Sequence, residues 1–232
     1  MDTRQHKQEN QYSFPYHYIP RFDDRFSQVR TMRWGYVYAS YMEAVLELVE
    51  DLAPSSVIDI GCGDGRFLFE LGRRAPHVTR VGVDYSDHAV RFAQAFNPDA
   101  RLVSVDITSE QTNLPASDVA VSVETLEHIP PETLGDFVAG MARLVVPEGQ
   151  LVVTVPHTNV PRAPKHYQHF SFQSLKSQLE PHFTIERCLY LNRSSRAERI
   201  MRRLLVNRFW ALTHHRTLNA VYRFYTKHYL HA

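Results

Sequence analysis

Five short apolar runs mark the middle of the chain, at 57–60 (VIDI), 79–83 (TRVGV), 101–105 (RLVSV), 118–123 (DVAVSV) and 150–155 (QLVVTV). They are apolar almost throughout rather than alternating, which suits parallel strands covered on both faces. Helix-like stretches near 66–75, 86–96 and 132–144 separate most of them. A helix near 171–180 and a strand over 183–191 (FTIERCLYL) complete the predicted core. Strands alternating with helices predict a doubly wound α/β domain.

The flanks read differently. Residues 11–26 (QYSFPYHYIPRFDDRF) are rich in aromatics and prolines without a regular period, and predict an ordered arm. Tyr41, Ala44, Val45, Leu48, Val49 and Leu52 form an i, i+3, i+4 stripe that stops before Pro54, hence an amphipathic helix. Near the other end, Ile200, Met201, Leu204, Leu205, Phe209 and Leu212 make one helical stripe, and Leu218, Val221, Tyr222, Tyr225 and Tyr229 a second. The predicted organisation is an arm and helix over 1–53 acting as a lid, a core domain over 54–192, and a helical extension over 193–232.

Composition narrows the function classes. With 232 residues, 44% of them hydrophobic, the chain can bury a full core and is not globally disordered. No apolar run approaches the roughly 20 residues a membrane span needs, and Met1 to Asn10 lacks the apolar stretch of a secretory signal. Cys62 and Cys188 are too few for a disulfide framework, so a cytoplasmic setting is expected. The net charge of +1 hides an asymmetry: nine Lys/Arg against the single acid Glu198 after residue 190 give a +8 tail on a −7 body.

Three of only nine glycines, Gly61, Gly63 and Gly65, fall within five positions, where VIDI runs into a predicted helix. Such a loop lets a ligand approach the backbone, and the helix start offers unpaired N–H groups. Asp84 ends the second run, 19 positions after Gly65, where an acid can accept from two ribose hydroxyls. Asp106 ends the third, where its carboxylate can accept from an adenine amino group, with Ile107 against the ring. A nicotinamide fingerprint would need glycine at position 66, which is Arg66.

The G-x-G-x-G spacing, with Asp59 two residues upstream, resembles the class I S-adenosylmethionine-dependent methyltransferases over residues 55–190. The resemblance implies a Rossmann-like sheet and S-adenosylmethionine as cofactor. It also implies the methionyl part against Asp59 and the 61–65 loop (Gly61, Cys62, Gly63), the ribose on Asp84, and the adenine near Tyr85, Asp106 and Ile107. Cys62 itself reads as a space-filler. That family usually adds an antiparallel seventh strand, and none is visible after residue 191; helices take its place.

After the fourth run comes Glu124-Thr-Leu-Glu127-His128, at the strand end that faces the transferable methyl group in that fold. His128 is a candidate general base. Alternatively Glu124, Glu127 and His128 bind a divalent ion that lowers the pKa of an acceptor hydroxyl. Lys165-His166-Tyr-Gln-His169 follows the fifth run and returns to the same crevice. The E-x-x-E-H pattern with a later histidine resembles two groups, the ubiquinone-pathway O-methyltransferases and the small-RNA 3′-terminal 2′-O-methyltransferases. Both use a divalent metal there, which implies Glu124, Glu127, His128 and one of His166 or His169, with His169 the chosen fourth ligand. Mg²⁺, Mn²⁺, Fe²⁺ and Zn²⁺ are the candidate ions. Lys165 reads as a solvated charge or substrate anchor, His157 as a pocket residue, and Tyr16, His17 and Tyr18 as a flap.

The basic tail suits an anionic membrane surface, RNA, a second subunit, or packing on the body. The expected activity is O-methylation of a hydroxyl on a small molecule or a glycan- or lipid-linked intermediate. RNA 2′-O-methylation and a non-catalytic binding subunit are the alternatives.

Overall fold

Five parallel strands form the sheet in a computed structural model that describes residues 3–9, 32–109, 113–193, 195–205 and 214–231. They are β1 (Ser56–Ile60), β2 (Thr79–Asp84), β3 (Arg101–Ser104), β4 (Ser117–Val123) and β5 (Val145–Thr154), in the order β3-β2-β1-β4-β5. The chain steps outward from β1 through β2 to β3, then returns to place β4 and β5 on the other side. Right-handed crossovers therefore put α3 (Arg66–Arg74) and α4 (Asp87–Phe96) on one face and α5 (Leu134–Arg143) on the other. The order reverses between β1 and β4, which opens a crevice at the strand ends there.

Local chemistry explains the elements. Val57, Ile58, Asp59 and Ile60 are all buried in succession, as strands covered on both faces require. The core joins Ile58, Ile60, Val81, Val83 and Ala120 of the sheet to Leu134, Phe137, Val138 and Met141 of α5. Ser86 caps α4 by accepting from Ala89 N, and α6 (Phe172–Leu179) starts on a Ser171–Ser174 capping box. The predicted helix before Pro54 is longer than its stripe: α2 runs Met32–Asp51.

The strand expected at 183–191 is absent. Residues 183–190 carry no regular structure, and Leu191 makes only an isolated bridge to His231. The alternation in FTIERCLYL imitates a half-buried strand, yet only Phe183 of the segment joins the core, and 186–190 are exposed. A strand needs an edge to pair with, and that requirement is invisible in a local pattern.

The chain forms two compact units: Met1–His17 with Leu48–Glu186, and Tyr18–Glu47 with Arg187–Ala232. The first carries the sheet, and also α1 (Thr3–Glu9), whose Arg4 guanidinium lies 4.7 Å above the Tyr167 ring. The second holds α7 (Arg196–Leu205) and α8 (His215–Tyr225), which continues as a π turn over Thr226–Leu230. Tyr225 and Tyr229 are buried there, with Val37, Met201, Leu205 and Tyr222 packed on them. Tyr225 donates to Asn192 Oδ1 at 2.6 Å, and so does Ser40 at 3.1 Å. The predicted aromatic arm (Tyr16, His17, Tyr18) and the stripe positions Phe209 and Leu212 lie outside the described residues. Among the described residues no helix is long and apolar enough to cross a membrane.

Candidate active site

The glycine loop follows β1 directly. Gly61, Gly63 and Gly65 have φ of 78°, 53° and 75°, the left-handed region that other residues enter at a cost of about 1–2 kcal/mol. Gly61 also has no room for a Cβ, which would overlap Thr125, and a Cβ at Gly65 would come within 2.6 Å of Asn97 Nδ2. Asn97, at the end of α4, donates to Gly65 O at 3.1 Å and to Ala93 O at 3.0 Å, tying that helix to the loop. The sequence offered no sign of this brace.

Asp84 is buried at the end of β2. Its carboxylate accepts from Gly63 N at 3.0 Å and from Ser86 N at 2.9 Å, so it holds the loop's shape while Ser86 does the capping. Asp59 is 2% exposed, and burial, followed by the nearby Asp84 and Asp64 charges, pushes its carboxyl well up. Three acids around one loop favour a cationic guest. Cys62 donates its backbone N–H to Val83 O, while its Sγ lies over Gly82 in the core; burial pushes the thiol up, as a space-filler requires.

The adenine end departs from expectation in part. β3 stops at Ser104, and Asp106 stands exposed beyond it, its Oδ1 accepting from Thr108 N at 2.9 Å and Thr108 Oγ1 at 2.8 Å. Ile107 is buried in the core cluster against Gly140 of α5. Tyr85, at 44% exposed, presents an accessible ring after β2.

Across the switch point, Glu124 follows β4 with φ of +53°, a strained conformation for a side chain of this length. Thr154 at the end of β5 holds it: Glu124 N donates to Thr154 O, and Thr154 Oγ1 donates to Glu124 Oε1, both at 3.1 Å. Glu127 sits on a short 3₁₀ turn (Leu126–His128), 1% exposed, with Oε2 buried and without a hydrogen-bond partner among the described residues. Burial and then the Glu124 charge raise its carboxyl well above the ordinary range. An orphaned buried carboxylate oxygen costs on the order of 1–3 kcal/mol, so a partner is called for.

The second segment arrives from the loop after β5. Tyr167 N donates to Glu127 O at 2.8 Å, pinning residues 165–169 over the 3₁₀ turn. His128 and His166 meet edge-to-face at 4.7 Å. Single donor atoms of Glu127, His128 and His166 all lie within 4.8 Å of one another. Ligand bonds of about 2.0–2.2 Å put neighbouring donors roughly 3–4 Å apart, so a small contraction closes this set on an ion.

The protons can be placed by elimination. Val160 O can only accept, so His169 Nδ1 donates to it at 3.0 Å. In the neutral tautomer of His169, Nε2 then accepts from His166 Nδ1–H at 2.8 Å, which leaves His166 Nε2 with a lone pair. Likewise Lys165 O, 3.4 Å from His128 Nδ1, leaves the His128 Nε2 lone pair beside Glu127 Oε1 at 3.8 Å. Burial first, then neighbouring Lys165, holds His128 down at about 3 and His166 at about 4. Both imidazoles are therefore neutral near pH 7, and the His128–Glu127 contact is no ion pair.

His166 thus stands where His169 was expected, and His169 orients it from behind. Lys165, read as a solvated charge or substrate anchor, is half-buried: burial, the larger cause, lowers its pKa while the nearby Glu127 and Glu124 charges raise it. His157 turns inward on its own loop, its Nδ1 accepting from Asn159 N at 3.1 Å.

A family model described as "Methyltransferase domain" matches residues 33–230. An uncharacterized methyltransferase of Mycobacterium bovis is 33% identical over 115 residues, 49% of this chain and 56% of that one. A ubiquinone biosynthesis O-methyltransferase of Xanthomonas oryzae is 32% identical over 111 residues, 45% and 44% of the two chains. The chain spans about half the length of the curated relatives it matches. In fold it resembles an N-methyltransferase of Bradyrhizobium japonicum in complex with S-adenosyl-L-homocysteine (TM-score 0.60, 19% identity, 83% of this chain and 93% of that one). It also resembles the magnesium protoporphyrin IX methyltransferase of Synechocystis with bound S-adenosylmethionine (TM-score 0.61, 18% identity, 84% and 92%). The chain belongs to the methyltransferase-domain family and has the class I S-adenosylmethionine-dependent methyltransferase fold.

Proposed function

We propose that the protein is an S-adenosylmethionine-dependent O-methyltransferase whose acceptor hydroxyl is prepared at Glu127, His128 and His166. The observation that carries this reading is the convergence of those three donors beside a buried, unpartnered carboxylate oxygen. The acids Asp59, Asp64 and Asp84 favour the cofactor's sulfonium and ammonium charges, and the left-handed glycines leave its methionyl part room against the backbone.

Methyl transfer is an in-line displacement: the acceptor oxygen bonds to the methyl carbon as the carbon–sulfur bond breaks and its electron pair returns to sulfur. The acceptor must also lose a proton. Histidines held down to about 3 and 4 are weak bases, yet their lone pairs remain free to ligate. Two imidazoles and a carboxylate suit Fe²⁺ or Zn²⁺ best and still admit Mn²⁺, which favours oxygen ligands. A bound divalent ion supplies Lewis acidity that lowers the pKa of a hydroxyl. An amine acceptor sheds its ammonium proton at a pKa of about 10 without Lewis-acid help, which is why the donor set points to oxygen. The acceptor fits best as a small molecule or a glycan- or lipid-linked alcohol; the similarity to a ubiquinone-pathway O-methyltransferase supports this choice over RNA.

Calorimetry and thermal melts test the reading. S-adenosylmethionine should bind without metal, and Mn²⁺ should raise the melting temperature of the wild type but not of Glu127→Gln. Glu127→Ala should abolish chelator-sensitive turnover, a loss of more than about a hundredfold, with cofactor affinity nearly intact. An equal Mn²⁺ shift in both proteins would remove the metal from this site.

A further inference from the structure

The stripe predicted over α7 is wider than the contact it makes. Met201 and Leu205 pack on the Tyr225–Tyr229 cluster, whereas Ile200 and Leu204 remain 60% and 56% exposed. At 100° per residue, Arg196, Arg199 and Arg203 share that outward arc with them, and all three are exposed. α8 repeats the arrangement: Arg216, Arg223 and Lys227 are exposed, and Phe224, 49% exposed, stands beside them. Glu198 is the single acid after residue 190, and it is buried. Both outward faces therefore combine cations with large apolar side chains and carry no negative charge.

We propose that the outward face of α7 docks on an anionic lipid surface. Arginines at headgroup level meet phosphates, and Ile200 and Leu204 enter the boundary between headgroups and acyl chains. A nucleic acid uses the cations but gains nothing from exposed aliphatic side chains. A second copy meeting the same face would set three cations against three. The lipid surface is the partner that uses both halves of the pattern, and the proposal is independent of the acceptor and of any metal.

Flotation of the full-length protein with phosphatidylglycerol–phosphatidylcholine vesicles and with pure phosphatidylcholine vesicles tests it. The wild type should float with the anionic vesicles, weakly with the neutral ones, and less at high salt. Each cation near such a surface contributes about fivefold, so Arg199→Glu/Arg203→Glu should lose at least about 25-fold in partitioning. Ile200→Ser/Leu204→Ser should lose about tenfold through the apolar area alone. These positions are exposed, and circular dichroism and cofactor binding should stay unchanged. Wild-type protein that stays with the pellet fraction, or serine variants that float as well as wild type, would overturn the proposal. So would tighter binding to a single-stranded RNA that the serine variant keeps, or self-association that the serine variant abolishes.

Discussion

The two sides of the switch point are built on different principles. On the cofactor side, the groups that shape the loop satisfy each other over short distances: Asp84 takes Gly63 N and Ser86 N, Asn97 takes Gly65 O, and the glycines adopt φ values natural to them. On the acceptor side, Glu124 is held at a φ of +53°, Glu127 keeps an orphaned oxygen, and two imidazoles are stripped of most of their basicity. The cofactor side keeps unmet groups too, a buried Asn97 Oδ1 without a partner among the described residues and the desolvated Asp59 carboxyl, but the acceptor side gathers its own around one point. Strain and desolvation of this kind persist where the surrounding structure enforces them.

The contrast can be broken from either side. Asp84→Ala should act on the cofactor side, weakening S-adenosylmethionine by about 1.5–3 kcal/mol per charge-assisted bond lost, or roughly 12- to 160-fold per bond by calorimetry. Mn²⁺ shifts should survive that change; unchanged cofactor affinity would refute the ribose assignment. His169→Phe removes the acceptor that sets the His166 tautomer without touching the three donors. Metal affinity or metal-dependent turnover should fall about 10–100-fold, the usual cost of a lost outer partner, with cofactor affinity constant. If both measurements match the wild type, His169 plays no positioning part.

The last effect is a slope. His128 stays neutral in the fold down to about 3, whereas the unfolded chain protonates it near 6.5. As pH falls from 6.5 towards 3, protons therefore bind the unfolded state first, and stability drops by at most about 1.4 kcal/mol per pH unit. The raised carboxyls of Asp59, Glu124 and Glu127 act in the opposite sense, adding stability below their ordinary range and losing it as pH rises. Urea titrations of wild type and His128→Asn, without metal, separate the two: the difference in unfolding free energy should change with pH below 6.5 and be flat above it. A difference that is flat throughout would mean that His128 titrates normally.

Much of the cofactor side was legible because its causes are local. A strand, three spaced glycines and a helix start occupy consecutive positions, and the acid at the next strand end follows 19 positions later. The same locality explains the failures. FTIERCLYL alternates like a strand but forms no ladder, and LVSVDI runs apolar past the point where β3 ends, leaving Asp106 beyond the strand. The stripe over α7 did not reveal that its two halves would separate, Met201 and Leu205 inward, Ile200 and Leu204 outward.

The sequence by itself determined the doubly wound order and the glycine loop, because hydrophobic period and backbone sterics are properties of short segments. Only the tertiary structure decided which histidine joins Glu127 and His128. Residues 124–128 and 165–169 meet because β4 and β5 are parallel neighbours whose ends rise to one level, with Tyr167 N seated on Glu127 O. It is that meeting, and the loss of water that comes with it, that turns a motif of ordinary titrating side chains into neutral imidazoles around an unpaired carboxylate.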